Sequence, residues 1–387
     1  MKKENQYCCI CGSKSSNHFD LGSFHLSMNI AEKEFYRKTL NCSPKYHYFL
    51  NECKYCNYFW LKDNHPSILN SNEFIKYYDL RVNSNEPENH FNELVTWLKD
   101  LNILKKNMNV GLASYKDKSL FDRIKNYALK NSYMWLENDL LEICNSFYSN
   151  KVEKNKKISH NKFDLIIARH ILEHFYNPRT LMDFIDSSLS EEGIIYFEVP
   201  SPISMIREGL SYFLWEEHNS YFTTNALRKL FHLYGFKACL RSYENGKEPI
   251  ICIVLSRLKI SSEEKILDDD NLSINLFKEK HVLNKNKIRS YLKNKNIKNL
   301  YFLGAGHLGM KAVCFYDLKE FLKGFVDDMQ IKQEKLSLAN DLEIFSSNDL
   351  EEGSTLIHVL PPESVQRIKK KPNYKNYHMI SLSDIVN

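Results

Sequence analysis

FDLIIARHILEH, residues 163–174, is the stretch whose reading decides the fold. Phe163 to Ala168 is an apolar run interrupted only by Asp164. Its length and composition predict a strand buried on both faces, the kind found in parallel sheets covered by helices. Arg169, His170, Glu173 and His174 crowd its carboxyl end. Asn177-Pro178 follows, an N-cap with a first-turn proline, and predicts a helix that stops near Gly193. Ile194 to Val199 (IIYFEV) reads as a second buried strand, broken by Pro200 and Pro202. WEEHNSYFTTNALRKLFHLYGF (215–236) then presents Glu217, His218 and Tyr221 ahead of a helix capped at Thr223 or Thr224. Chemistry in an open parallel sheet collects beyond the carboxyl ends of the strands. Two successive strands here release ionisable residues at that edge, which is where the active site is expected.

The chain has 387 residues, enough for two or three domains with real cores. Hydrophobic residues at 43% and charged residues at 26% describe an ordinary globular protein. A net charge of +5, with its lysines dispersed, lacks the concentrated basic face that nucleic acid requires. No apolar run approaches the ~20 residues of a membrane span, and MKKENQYCC is not a signal peptide, so the expected location is the cytoplasm. Of the ten cysteines, five fall in the first 53 residues and a sixth is Cys56. In a reducing compartment that clustering points to metal rather than to disulfides.

Cys8-x-x-Cys11-Gly12 and Cys53-x-x-Cys56 form a double knuckle with the donor set of a closed, tetrahedral structural Zn2+ site. Cys9, Cys42 and His25 are spare candidates. The expected module covers residues 1–66. A central domain at 67–257 begins with helical spacing around Phe91, Leu94 and Leu98, and MNVGLASYKDKSLFDRI (108–124) opens its first βα unit. A turn that holds a nucleotide there normally needs glycines for close backbone approach, but this one reads Ser114-Tyr115-Lys116-Asp117-Lys118. A short strand in YMWLEND ends at Glu137, where an acid grips ribose hydroxyls. Residues 258–387 supply a charged linker helix and then a Rossmann fingerprint: strand 300–303, Gly304-Ala305-Gly306-His307-Leu308-Gly309, and Asp327 about 20 residues on. Read alone, that fingerprint fits a nucleotide site, or glycines that merely let a helix pack on a strand.

The knuckles, the RHILEH strand end, Glu198-Val199-Pro200, and Glu217-His218-Asn219-Ser220-Tyr221-Phe222 occur in an order that resembles the three-domain sugar C-methyltransferases. LGSFHLSMN (21–29) is similar to that family's segment between the knuckles. The resemblance spans nearly the whole chain. It implies a zinc-binding module, a doubly wound methyltransferase domain dependent on S-adenosylmethionine, and a C-terminal Rossmann-like domain. It further implies a nucleotide-linked keto-sugar as substrate; the dispersed charge and the lack of a membrane-span run already lead to the expectation of no nucleic-acid or membrane partner. His218 is then the base with Glu217 beside it, and Tyr78, or its neighbour Tyr77, the donor to the developing enolate. Ser114, Glu137, Arg169 and His170 line the cofactor site, and Tyr221, Glu198, Gly304 and Gly306 the substrate site. Ser114 and Lys118 stand where the family has glycines, and Leu112 where it has an acid. The second reading is therefore a non-catalytic relative that keeps the sugar-nucleotide pocket.

Overall fold

The computed structural model describes residues 7–14, 17–26, 30–43, 45–61, 88–136, 162–244, 248–258, 260 and 265–386. Its strands, in chain order, are β1 (Asn17–His25), β2 (Ile30–Glu32), β3 (Lys45–Cys53), β4 (Tyr58–Leu61), β5 (Val110–Leu112), β6 (Met134–Trp135), β7 (Phe163–Arg169), β8 (Leu189–Pro200) and β9 (Ser220–Tyr221). Then come β10 (Lys237–Tyr243), β11 (Ile250–Ser256), β12 (Leu300–Leu303), β13 (Gly324–Val326), β14 (Lys335–Ser337), β15 (Leu342–Phe345), β16 (Thr355–His358) and β17 (His378–Ser381).

The apolar run at 163–168 is β7, in the middle of a six-stranded sheet of order β10-β11-β8-β7-β5-β6. It lies parallel to both neighbours, β5 and β8. Side chains alternate across it: Ile166 and Ala168 pack with Phe197 and Leu230, while Leu165 and Ile167 pack with Leu94 and Phe121 on the other face. Each fully buried branched chain contributes about 1.5–3 kcal/mol, which is why a strand this apolar is central rather than at an edge. β11 closes the sheet antiparallel to β8.

The helix after β7 runs Pro178–Ser188 and is capped as expected, with the Asn177 side chain accepting from Arg179 N. It stops short of the expected Gly193. The hydroxyls of Ser187 and Ser188 bond back to the Phe184 carbonyl, and Leu189 already pairs with Phe163, so the chain turns into β8 at once. Thr223 caps the helix Thr224–His232 through Ala226 N. Buried Asp269 accepts from both N and Oγ1 of Thr224, pinning that helix start.

Two further sheets flank this one, and each borrows a strand. The N-terminal antiparallel sheet has order β1-β3-β4-β9, so its last strand, Ser220–Tyr221, comes from the EHNSYF segment. The C-terminal sheet, β17-β16-β12-β13-β15-β14-β2, is parallel through β17-β16-β12-β13-β15 and takes β2 from the N-terminal part. Glu52 on β3 accepts from Ile274 N at the start of the long helix Ile274–Lys295, 3.0 Å away, a carboxylate set against a helix N-terminus. Lys311, fully buried in the helix His307–Tyr316, reaches Glu216 Oε2 at 3.0 Å and the Tyr48 hydroxyl, which itself donates to Glu216 at 2.5 Å. One buried cation thereby ties together all three parts of the chain. Among the described residues no helix is long and apolar enough to cross a membrane.

Candidate active site

The turn after β5 is built around Asp117. Its fully buried carboxylate accepts from Ser114 N at 2.7 Å and, on the other oxygen, from Arg169 N at 2.9 Å. Side chain thus does what glycine does elsewhere, drawing the turn tight, but it occupies the amide of Ser114. Burial lifts the Asp117 carboxyl to about 7, and the Arg169 charge only partly restrains it. Ser114 itself is buried, and its hydroxyl has no partner among the described residues.

Arg169 leaves the end of β7 and is wholly enclosed. Its Nε lies 2.8 Å from Glu198 Oε2, and Nη1 donates to the Lys116 carbonyl at 3.0 Å. Glu198, at the end of β8, also accepts from the Tyr196 hydroxyl at 2.5 Å, with His90 Nε2 at 3.1 Å and His170 Nε2 at 3.4 Å. Burial alone would raise the Glu198 carboxyl; Arg169, His170 and His90 hold it well below the usual carboxylate range. Burial likewise disfavours His170⁺, yet Glu173 and Glu198 lift it to about 9. His170 takes a left-handed backbone conformation, φ 50°, rare for a residue with a side chain and typical of strained functional turns.

His218 sits over the carboxyl end of β7, held by three side-chain stitches. His174 Nδ1 donates to the Glu217 carbonyl at 2.9 Å, Asn219 Nδ2 donates to the His174 carbonyl at 2.7 Å, and Ser220 Oγ donates to the Phe175 carbonyl at 2.9 Å. The β4–β9 pairing, Phe59 with Tyr221 and Trp60 with Ser220, anchors the segment from the other side. The half-buried His218 ring lies 4.9 Å from His174 and 4.7 Å from Trp215. Trp215 in turn stacks on His307 of the glycine loop at 4.7 Å. Glu217 is buried, with its carbonyl on His174. Tyr221 is buried, and its hydroxyl accepts from Trp215 N at 3.0 Å. Tyr77, Tyr78 and Glu137 lie outside the described residues.

Gly304, at φ +95°, and Gly306 have nothing within 4 Å of where a Cβ would stand, so both leave open space on their loop. Gly309 is different: a Cβ there would meet the Gly304 carbonyl at 2.2 Å, so it serves the packing of helix on strand. Asp327 is engaged by Lys332 Nζ at 2.9 Å and by Ala305 N at 3.0 Å.

The four knuckle cysteines converge. Cys8 Sγ and Cys56 Sγ are 3.6 Å apart, Cys11 Sγ and Cys53 Sγ 3.5 Å, and all four sulfurs lie within 4.8 Å of one another. A tetrahedron of Zn–S bonds near 2.3 Å has edges of about 3.8 Å, so the donor set and spacing fit zinc. Gly12 and Asn57, both at positive φ, close the two knuckles, with Gly12 N donating to the Cys8 carbonyl and Asn57 N to the Cys53 carbonyl. Cys9 is outside the cluster.

Sequence reasoning gave no role to Asp117, His174, Glu216 or Lys311. His174 was visible in the strand-end cluster; the others become notable only through partners distant in the chain.

Residues 90–240 match the family model for a methyltransferase domain, a span that contains Ser114, Arg169, Glu198 and His218. This stretch is therefore similar to methyltransferase domains. Similar solved structures include magnesium protoporphyrin IX methyltransferase from Synechocystis PCC 6803 with bound SAH, at 12% identity over 50% of this chain and 98% of that one, TM-score 0.34. N-methyltransferase NodS from Bradyrhizobium japonicum is similar at 11% identity over 47% and 96%, TM-score 0.31. The plantazolicin methyltransferase BpumL is similar at 13% identity over 50% and 95%, TM-score 0.35. No curated protein matches the chain.

Proposed function

We propose that this protein methylates a carbon of a nucleotide-linked keto-sugar, with His218 as the base. The observation that carries the reading is an imidazole stitched over the carboxyl end of β7, inside a stretch similar to methyltransferase domains and against the glycine loop of the C-terminal sheet. A neutral imidazole suits removal of a proton from the carbon beside a ketone near neutral pH. When bound, S-adenosylmethionine supplies an electrophilic methyl group to the carbon that His218 deprotonates. Ser114 would hold it, since its buried hydroxyl lacks a partner among the described residues. His174, turned by the Glu217 carbonyl, orients the neighbouring ring of His218. Gly304 and Gly306 leave room for the nucleotide-linked sugar on the loop that meets Trp215 through His307. Zinc at Cys8, Cys11, Cys53 and Cys56 is structural: four thiolates leave no open position, and the metal holds the sheet that carries β9.

A panel of nucleotide-linked keto-sugars with methyl-labelled S-adenosylmethionine tests this. We expect label on a sugar carbon, and His218→Ala to lower turnover by about 100-fold or more while sugar-nucleotide binding persists. A near-normal rate in His218→Ala would sink the mechanism. The hold of Asp117 on the Ser114 amide of the turn favours one other reading, a non-catalytic sugar-nucleotide binder. No binding of S-adenosylhomocysteine up to several millimolar, alongside retained binding of the sugar nucleotide, would move the protein there.

A further inference from the structure

Glu173, His174 and His218 each bring one ligand atom to a common point, and those atoms all lie within 4.8 Å of one another. Glu173 is the decisive member. Its side chain is 2% exposed, and neither carboxylate oxygen accepts a hydrogen bond among the described residues. The His170 ring approaches it at 3.7 Å, beyond hydrogen-bond reach. Protonated His170 balances the Glu173 charge without a hydrogen bond, so both carboxylate oxygens keep lone pairs to offer a metal ion.

The two histidines are arranged to complete such a site. Donation of His174 Nδ1–H to the Glu217 carbonyl puts that ring's lone pair on Nε2, the same outer-shell device that orients metal-binding imidazoles. The His218 ring stands at 84° to it, so the two rings address the shared point from different directions. Two imidazoles and one carboxylate suit zinc, cobalt or iron, whereas magnesium and calcium prefer oxygen donors alone. Ligand atoms of a zinc site sit about 3.4 Å apart, so closure asks for side-chain shifts of about an ångström. The other buried trio, His90, Glu198 and Cys252, does not compare, because Arg169 at 2.8 Å and the Tyr196 hydroxyl at 2.5 Å already engage the Glu198 oxygens directly.

We propose that Glu173, His174 and His218 form a reversible site for a divalent transition-metal ion, and that filling it switches methyl transfer off. The switching role rests on the reading of His218 as base, because the lone pair that accepts the substrate proton is the one a metal takes. Binding is coordination only; no bond to carbon forms or breaks, and chelation reverses it.

Titration of Co2+ into the purified full-length protein tests the site. We expect one equivalent to bind with weak visible bands and without the thiolate-to-cobalt charge transfer that marks cysteine ligation. Glu173→Gln and His174→Ala should each weaken this binding at least about tenfold, since losing even an outer-shell partner costs that much. Thermal unfolding checks the fold of both variants, and His218→Ala, at a half-buried position, carries the test if they do not fold. Micromolar Zn2+ should lower the labelled methyl transfer of the wild type at least tenfold, with recovery on chelation. Glu173→Gln should keep its own metal-free rate when zinc is added. Absence of Co2+ binding outside the thiolates, with methyl transfer intact, overturns the metal site and leaves the proposed reaction standing. Cobalt binding as described, in a protein that methylates no keto-sugar, upholds the metal site and overturns the reaction together with the switching role.

Discussion

Replacing Ser114 by alanine should move folding stability and ligand affinity in opposite directions. The Ser114 hydroxyl is buried with no partner among the described residues, and its own amide is already spent on Asp117. An unsatisfied buried hydroxyl costs roughly 1–3 kcal/mol, so Ser114→Ala should stabilise the ligand-free protein by about 1 kcal/mol. If the hydroxyl faces S-adenosylmethionine, the same change removes one neutral hydrogen bond worth about 1 kcal/mol, or about fivefold in Kd. The starting affinity should itself be modest. One backbone amide that a glycine-rich turn would offer, that of Ser114, donates to Asp117 instead. Its loss amounts to about 1 kcal/mol, roughly fivefold, which takes a site of about 1 μM to about 5 μM. Urea unfolding of the ligand-free proteins and calorimetry with S-adenosylhomocysteine measure both quantities. Unchanged affinity in Ser114→Ala would refute the assignment of that hydroxyl to the ligand.

The purified protein should carry about one zinc per chain and Cys53→Ser should lose it; equal zinc in both would contradict the four-cysteine site. Lys311→Met should destabilise the protein by about 3–5 kcal/mol, because Glu216 is left charged and buried, and adding Glu216→Gln should recover most of that. Urea midpoints of the single and double variants decide it, and a loss below about 1 kcal/mol would mean that the lock is unimportant. The raised Asp117 carboxyl predicts a pH effect. The unfolded chain ionises near 3.8 while the folded one keeps its proton until about 7, so stability should fall as pH rises through that window and level off above it. The span corresponds to about 4 kcal/mol, and Asp117→Asn should flatten this part of the profile in urea unfolding from pH 4 to 8.

What could be read from the chain alone was local or periodic. An apolar run broken only by Asp164 made β7 a central parallel strand, Asn177-Pro178 and Thr223 announced their helices, and Cys-x-x-Cys-Gly announced a knuckle, each because the physical cause lies within a few residues. The two glycines of the C-terminal loop and the helix after them were legible for the same reason. The rest depended on partners far apart in sequence. Pairing of Ser220–Tyr221 with β4, some 160 positions away, makes the N-terminal sheet a wall of the site, and no short-range pattern encodes it. Asp117 looked like one polar residue of a turn until Arg169 N came down on its carboxylate. Lys311 sits in a sequence that reads as an ordinary helix; only the arrival of Glu216 and Tyr48 turns its charge into a buried lock. Periodicity specifies which residues are buried, but which buried charges meet is settled by the packing of sheets on one another, and that is where this site is made.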